Sequence, residues 1–450
     1  MLNVNFDQIV GKIRAMHAVG QPPMAGTDCS AFRYLKEAHI PYSRLHDVGI
    51  YKLLPMVDIS CIFPDFSKDE QDPANYDFEY TDYLISEMMN NDCPPIFRLG
   101  ETIENAVDRG FRPRYIHAPA DPHKWARICE QIIRHYNEGW ADGFRFGIRY
   151  WEIWNEADNG FQVGEGPVKA GGPYRDINHM WVGSFRQCYE LYVIAAKHLK
   201  ACFGDQIMVG GYGSSGLYAI FIEPEKYGAP VALQKNYRPR YELMLQFFYE
   251  FLDYVKEQNA PLDFFSWHSY SDVDRSVAME QFVERTLRER GFDCEILLDE
   301  WNNAPAPEKI GTSYAAAHAA AMLLAMQNTE LTVMNYYDAR IVSGDYCGMF
   351  NPVLRTPYCL YYAFKAFGEL YCLGDQAKCT VEGEGLYAVA ATNGGKKAVL
   401  LTNIGADQRV ETNLQGFEVY LIDETHRMER VDWDPSSFEL KENQTVYLVK

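Results

Sequence analysis

Two glutamates stand out by what surrounds them. Glu156 closes the run Tyr150-Trp151-Glu152-Ile153-Trp154-Asn155-Glu156, and Glu300 closes Glu295-Ile296-Leu297-Leu298-Asp299-Glu300, ahead of Trp301-Asn302. Each run is rich in large apolar or aromatic residues suited to a buried, pleated strand, and each stops at a carboxylate beside an amide and an indole. The first is followed by the turn-forming Ala157-Asp158-Asn159-Gly160. Two carboxylates facing one pocket can cleave a glycosidic bond. At a separation of about 5–5.5 Å one attacks the sugar, while the other protonates the leaving oxygen and later deprotonates water. The acid of the pair needs a raised pKa, which burial beside rings and a second carboxylate can supply. The alternative is that each Glu merely caps a helix or pairs with a surface lysine. Two strand ends of the same form, both abutting Trp, favour catalysis.

Other residues fit around such a pair. Asn155 could bond the sugar 2-hydroxyl, a contact that strengthens at the transition state. Arg44 could hold a carboxylate ionised. Trp154 and Trp301 would supply apolar walls. His268 and Tyr270 could touch substrate or Glu300, and His46 stands at another strand end; a structural hydrogen-bonding role is the alternative for each histidine. Arg98 could meet a sugar or a uronate carboxylate, or pair internally with Glu101. Tyr336 and Tyr337 could form a stacking wall. The scattered His and Cys have no zinc-ligand spacing, so no metal site is expected. Gly210-Gly211-Tyr212-Gly213 lacks the lysine and helix start of a phosphate loop, and no cofactor is expected.

The elements that must position these residues alternate from about 12 to 368. Strand-like stretches fall at Lys12–Val19, Ile40–Leu45, Ile96–Leu99, 148–154, Ile207–Val209, Asp263–Trp267, Glu295–Asp299 and Leu331–Asn335. Helical stretches follow them: 27–37, Phe78–Met89, Asp121–Glu138 with Asp121 as cap and Pro122 first, Trp181–Cys202, Arg240–Gln258, Arg275–Arg290, Ser313–Gln327 and Pro357–Phe367. Eight of each predicts a (β/α)8 barrel over residues 11–369, with Glu156 after strand four and Glu300 after strand seven. The stretch from Asp47 to about Asn75 is long enough for a lid-like or functional loop, and 160–175 is a glycine-rich loop. Beyond about 370 the texture turns to short strands, including a hairpin around Asn393-Gly394-Gly395. Residues 370–450 are expected to form a small all-β, sandwich-like domain, which residues 1–10 could complete.

Composition bounds the partners. A formal charge of −20 argues against nucleic acid and anionic membranes. The 11 cysteines, an odd number without any Cys-x-x-Cys, suit reduced thiols. The amino terminus has no apolar signal core, and no apolar run is long enough to span a bilayer. These features predict a cytoplasmic protein acting on a small carbohydrate, and they are compatible with a homo-oligomer.

The motifs resemble those of a known group. Ile153-Trp154-Asn155-Glu156 is similar to the acid/base motif of clan A glycoside hydrolases, and Leu298-Asp299-Glu300-Trp301-Asn302 to their strand-seven nucleophile motif. Arg44-Leu45-His46, Tyr76-Asp77-Phe78-Glu79-Tyr80-Thr81-Asp82, Val209-Gly210-Gly211 and Phe265-Ser266-Trp267-His268-Ser269-Tyr270 make the resemblance strongest to glycoside hydrolase family 39, the β-xylosidase and α-L-iduronidase family. The resemblance implies retention, with Glu156 as acid/base and Glu300 as nucleophile. It points to an exo-glycosidase, β-xylosidase-like first, with arabinosides, β-galactosides, β-glucosides or uronic-acid glycosides as alternatives. A catalytically silent sugar-binding barrel and a transglycosidase are the readings from outside hydrolysis. Ala157 stands where the family usually has Pro, and the strand-three ending Arg98-Leu99-Gly100-Glu101 carries charges unusual for a xylosidase.

Overall fold

The computed structural model describes residues 1–50, 54–102, 116–159, 180–229, 240–302, 307–344 and 346–450. The expected glycine-rich loop at 160–175 lies outside the described residues.

Eight parallel strands close into a barrel in chain order: Ala15–Gly20, Ser43–Leu45, Pro95–Leu99, Tyr150–Ile153, Met208–Ser214, Phe264–Ser269, Glu295–Trp301 and Val333–Tyr337. We number these barrel strands one to eight. The helices Arg33–Glu37, Glu79–Asn90, Pro122–Asn137, Phe185–Phe203, Arg240–Glu257, Val273–Glu289, Ser313–Met326 and Cys359–Leu373 alternate with them. Strand periodicity sorts the side chains. Ile96, Tyr150, Phe264, Leu297 and Val333 point inward and plug the barrel floor with Ala15 and Ala18. Their neighbours Phe97, Trp151, Phe265, Ile296 and Met334 point outward into the core shared with the helices.

Capping chemistry explains where helices begin. The Asp121 carboxylate accepts from the backbone N–H of His123 and Lys124, and Pro122 opens the helix. The next long helix starts at Phe185, later than Trp181, because Ser184 and Gln187 form a reciprocal capping box. The helix expected over 27–37 is also shorter. The Asp28 side chain accepts from the Ser30 N–H at 2.8 Å, which makes a turn. A 3-10 segment, Ser30–Phe32, then precedes Arg33–Glu37.

The stretch after barrel strand two folds onto the barrel mouth. Ile59–Ile62 is a short helix with Ile59 and Ile62 buried, and the Ile59 N–H donates to the Gly100 carbonyl at 3.1 Å.

The carboxyl-terminal region forms a seven-stranded antiparallel sheet in the order Leu2–Lys12, Asp375–Val381, Leu386–Thr392, Lys397–Asn403, Gln444–Val449, Glu418–Ile422 and Arg427–Val431. Gln408–Glu411 pairs with Ser437–Leu440 as a separate two-stranded layer. The sandwich is therefore lopsided. Val389, Ala391, Ala398 and Leu400 join the core of the barrel helices. Ala390, Val399 and Leu401 face the other way and pack with Val410, Phe438 and Leu440. The strands Asp375–Val381, Gln408–Glu411 and Arg427–Val431 escape the sequence pattern because they are largely polar. All eleven cysteines are free thiols. Among the described residues no helix is long and apolar enough to cross a membrane.

Candidate active site

Above the apolar floor the barrel axis turns polar. Arg44, from barrel strand two, is wholly buried at the centre. Its Nε donates to Glu152 Oε2 at 2.7 Å and stands 2.8 Å from Asp299 Oδ2. Its Nη1 reaches Glu300 Oε1 at 3.3 Å, and its Nη2 donates to Asn155 Oδ1 at 2.6 Å. Burial disfavours the guanidinium charge, but Asp299, Glu152 and Glu300 outweigh it and raise the Arg44 pKa. Burial also opposes ionisation of Glu152; Arg44 and the Ser266 hydroxyl, which donates at 2.6 Å, still help to hold that carboxyl down at about 2. Burial and the neighbouring Glu152 push Asp299 well up, so it keeps the proton of the pair. The sequence reading missed Glu152 and Asp299, although a charge inside an otherwise apolar strand was a usable signal.

Glu156 and Glu300 converge over this layer. Glu156 sits one turn beyond barrel strand four, in left-handed backbone (φ 47°), after Trp154 (φ 69°). Its N–H donates to the Gly213 carbonyl at 2.9 Å and approaches that of Tyr212 at 3.1 Å. Gly213 makes the approach possible: its φ is +58°, and a Cβ there would lie 3.0 Å from Asn155 Oδ1 and 3.1 Å from Arg44 Nη2. Glu300 lies at the end of barrel strand seven, in register with His268 of strand six. Nδ1 of His268 stands 2.9 Å from Glu156 Oε1 and 3.2 Å from Glu300 Oε2. One donor atom from each of these three residues lies within 4.8 Å of the other two. Burial keeps the imidazole pKa low, so it is neutral and can bridge the carboxyls with one N–H. The Tyr270 hydroxyl donates to Glu300 Oε2 at 2.7 Å. Burial and the facing Glu156 push Glu300 up to about 7, against the pull of His268 and Arg44. That value belongs to the interacting pair.

A latch follows Glu156. Asp158 accepts from Ser214 Oγ at 2.6 Å, Ser215 Oγ at 2.9 Å and the Ser215 N–H at 3.1 Å. These bonds pin the turn after strand four to the end of strand five.

The remaining expected residues divide. His46 is buried against the site with its Nε2 2.9 Å from Asp47 Oδ1, and burial pushes its pKa down to about 4. Its Nδ1 accepts from Arg98 Nε at 3.1 Å. Arg98 is wholly buried, and its Nη2 donates to Asp58 at 2.7 Å and to the His46 carbonyl at 2.8 Å. Arg98 pairs with Asp58, and its charge also pulls down the Glu101 carboxyl that burial and Asp58 raise. Glu101 accepts from the Ser60 N–H and hydroxyl. Arg98 thus supports His46 rather than facing a substrate carboxylate. Trp301 and Tyr336 are not brought to the pocket. A register shift after Leu298 breaks the alternation, so Asp299 and Glu300 both face the axis, and Trp301 turns outward, edge-on to Tyr336 at 5.2 Å and parallel to Phe364 of the last helix at 6.4 Å. Tyr336 packs on the same Phe364 at 5.5 Å. Tyr337 takes the inward position, donates to Asp47 and lies 6.5 Å from the Tyr270 ring. Trp154 packs between Trp125 and Trp181. The half-exposed Tyr346, which drew no attention in the sequence, covers Tyr270 at 5.1 Å.

Glu156, His268 and Glu300 are close enough to share a divalent ion, but the Arg44 cation 3.3 Å from Glu300 works against one.

No family model matches the sequence, and no curated protein matches it. Solved structures do match over the whole chain. A glucosidase from Croceicoccus marinus is 20% identical, with a TM-score of 0.74 covering 100% of this chain and 98% of that one. A family 39 β-xylosidase from Caulobacter crescentus is 16% identical, with a TM-score of 0.65 covering 100% and 99%. A family 30 subfamily 8 xylanase from Clostridium acetobutylicum is 12% identical, with a TM-score of 0.56 covering 100% and 98%. At these identities the likeness is one of fold. It spans both the barrel and the β region.

Proposed function

We propose that the chain is a retaining glycoside hydrolase in which Glu300 is the nucleophile and Glu156 the acid/base. The observation that carries this is the convergence of the two carboxyls on His268 Nδ1 at the carboxyl-terminal mouth of the barrel, with donor atoms within 4.8 Å of one another. That is the short spacing of double displacement, not the about 6.5–9.5 Å that leaves room for a water in inversion.

The surroundings divide the labour. Tyr270 and Arg44 both donate to Glu300, favouring its ionised form. The single proton of the pair then rests on Glu156, beside the leaving oxygen. Glu300 attacks the anomeric carbon as Glu156 gives its proton to that oxygen, forming a glycosyl ester. Glu156, now a carboxylate, takes a proton from water, which attacks the ester and restores Glu300. Arg44 holds the Asn155 carbonyl oxygen, which orients the amide so that Nδ2, unpartnered in the structure, is the group available for a sugar 2-hydroxyl.

For substrate, a short β-xyloside or β-glucoside cleaved from its end is the reading best supported, since the glucosidase and the β-xylosidase are among the whole-chain neighbours. The uronide reading loses its docking residue with Arg98 committed to Asp58. The test is nitrophenol release from xyloside, glucoside, galactoside, arabinosides, fucoside and uronides, by wild type and Glu300→Ala. Turnover that disappears in the variant is expected, and the responding sugar names the substrate. Turnover that survives in Glu300→Ala would refute the assignment, and silence of the wild type across the panel would favour a barrel that only binds sugar.

A further inference from the structure

We propose that Glu130, His198 and Cys202 form a surface site for a borderline divalent cation, with Zn²⁺ as the best fit. The site is remote in chemistry from the carboxylate pair and does not depend on the glycosidase reading. Helix Pro122–Asn137 carries Glu130, and helix Phe185–Phe203 carries His198 and Cys202. Four residues apart, His198 and Cys202 share one face of their helix, and packing of the two helices brings Glu130 to that face. The sequence spacing alone presents only two of the three ligands, so no metal site was expected from it.

The geometry suits a tetrahedral ion. His198 Nε2 is 2.7 Å from Glu130 Oε2, and Cys202 Sγ is 3.9 Å from the same nitrogen. One donor from each residue lies within 4.8 Å of the other two. Zinc bonds of about 2.0–2.3 Å in a tetrahedron set ligand atoms about 3.3–3.6 Å apart, between the spacings found. The carboxylate is already oriented: Arg134 Nε donates to Glu130 Oε1 at 2.8 Å, leaving Oε2 toward His198. Arg134 also adds a cation nearby, which tempers the affinity. His135, five residues on along the same helix, is committed to Asp82 and the Trp140 carbonyl. The fourth position is left to water. All three side chains are half-buried, so an ion can arrive from solvent.

Binding would exchange the His198 to Glu130 hydrogen bond for two metal bonds and release the Cys202 thiol proton, so affinity rises with pH. The two helices stand immediately before and after barrel strand four, which ends near Glu156. An ion between them ties together the frame of that strand.

The test is titration with Co²⁺, followed by displacement with Zn²⁺. A thiolate-to-cobalt charge-transfer band that saturates at one ion per chain is expected. It should be absent in Cys202→Ser, and Zn²⁺ affinity should fall by about 10–100-fold or more in His198→Gln. Zn²⁺ should raise the melting temperature of wild type but not of Cys202→Ser. Among the described residues the other candidate cluster, at the carboxylate pair, contains no sulfur and cannot produce the band. A wild type without the band, or a band that persists in Cys202→Ser, would overturn the proposal. The residues are half-buried surface groups, so the variants can be checked for an unchanged fold by circular dichroism.

Discussion

The Tyr270 hydroxyl donates to Oε2 of Glu300 at 2.7 Å, on the carboxylate oxygen opposite the one that Arg44 reaches. A hydrogen bond to a charged group contributes about 1.5–3 kcal/mol, so Tyr270→Phe should lower kcat/KM by about 10–100-fold. Steady-state kinetics on the responding aryl glycoside checks this; an unchanged rate would remove Tyr270 from the reaction.

The role given to Glu156 depends on the leaving group. Glu156→Gln should cost about 10²–10⁴-fold on alkyl glycosides, whose leaving oxygen needs a proton. A dinitrophenyl glycoside leaves unaided, so its glycosylation step should be far less affected. Equal losses on both substrates would contradict an acid at this position.

The pH profile follows from the shared proton. With Glu300 pushed up to about 7 by burial and by Glu156, the pair loses its last proton as pH rises through that region, and kcat/KM should fall there. The stability sign is the same. The last proton of the pair, held up to about 7 against an ordinary 4.5, contributes stability that is complete below 4.5 and is lost as pH rises through about 7. Glu300→Gln should therefore melt higher than wild type at pH 8, with the gap closing toward pH 4.5.

Arg44 balances Glu152 in a setting closed to water. Arg44→Met leaves that carboxylate buried without its partner and should cost about 3–5 kcal/mol, read from urea unfolding. A loss below about 1 kcal/mol would mean that Glu152 takes up a proton at little cost.

At Gly213 the constraint is backbone and space together. Gly213→Ala forces an L residue into φ +58° and presses a methyl on Asn155, Arg44 and His268. Strain of this kind costs about 1–3 kcal/mol, and the displaced Asn155 should lower kcat more than it changes KM. Full activity would place the close contact outside catalysis.

How much of this was legible in the chain depends on the direction a side chain faces. Barrel strands with strong apolar runs, such as Glu295–Trp301, announced themselves, as did helices with clear caps such as Asp121. The two strand-end glutamates were readable because each interrupts a hydrophobic run. What stands beside them was not. Trp301 and Tyr336 look like pocket walls by adjacency, yet both face the outer helices, and the register shift after Leu298 that sets the facing around Glu300 is not visible in the residues. Arg98 and Asp58 meet only because the loop after strand two folds back over strand three, and nothing local encodes that. Glu152 and Asp299 sit inside otherwise apolar strands, and their charges are the sign of a polar barrel axis. The polar strands of the β region lacked alternation and became visible only through their partners.

Strand Leu2–Lys12 carries one further consequence. It lies antiparallel to Asp375–Val381, and Lys12 reaches Asp375 across 363 positions of sequence. The whole barrel is thus a loop closed by one strand pair, and that seam cannot form until the chain has been made past the eighth barrel strand to Asp375–Val381. Closure on that scale makes for slow, late docking. It also ties the melting of the sheet to that of the barrel, so the two regions should unfold in one cooperative transition.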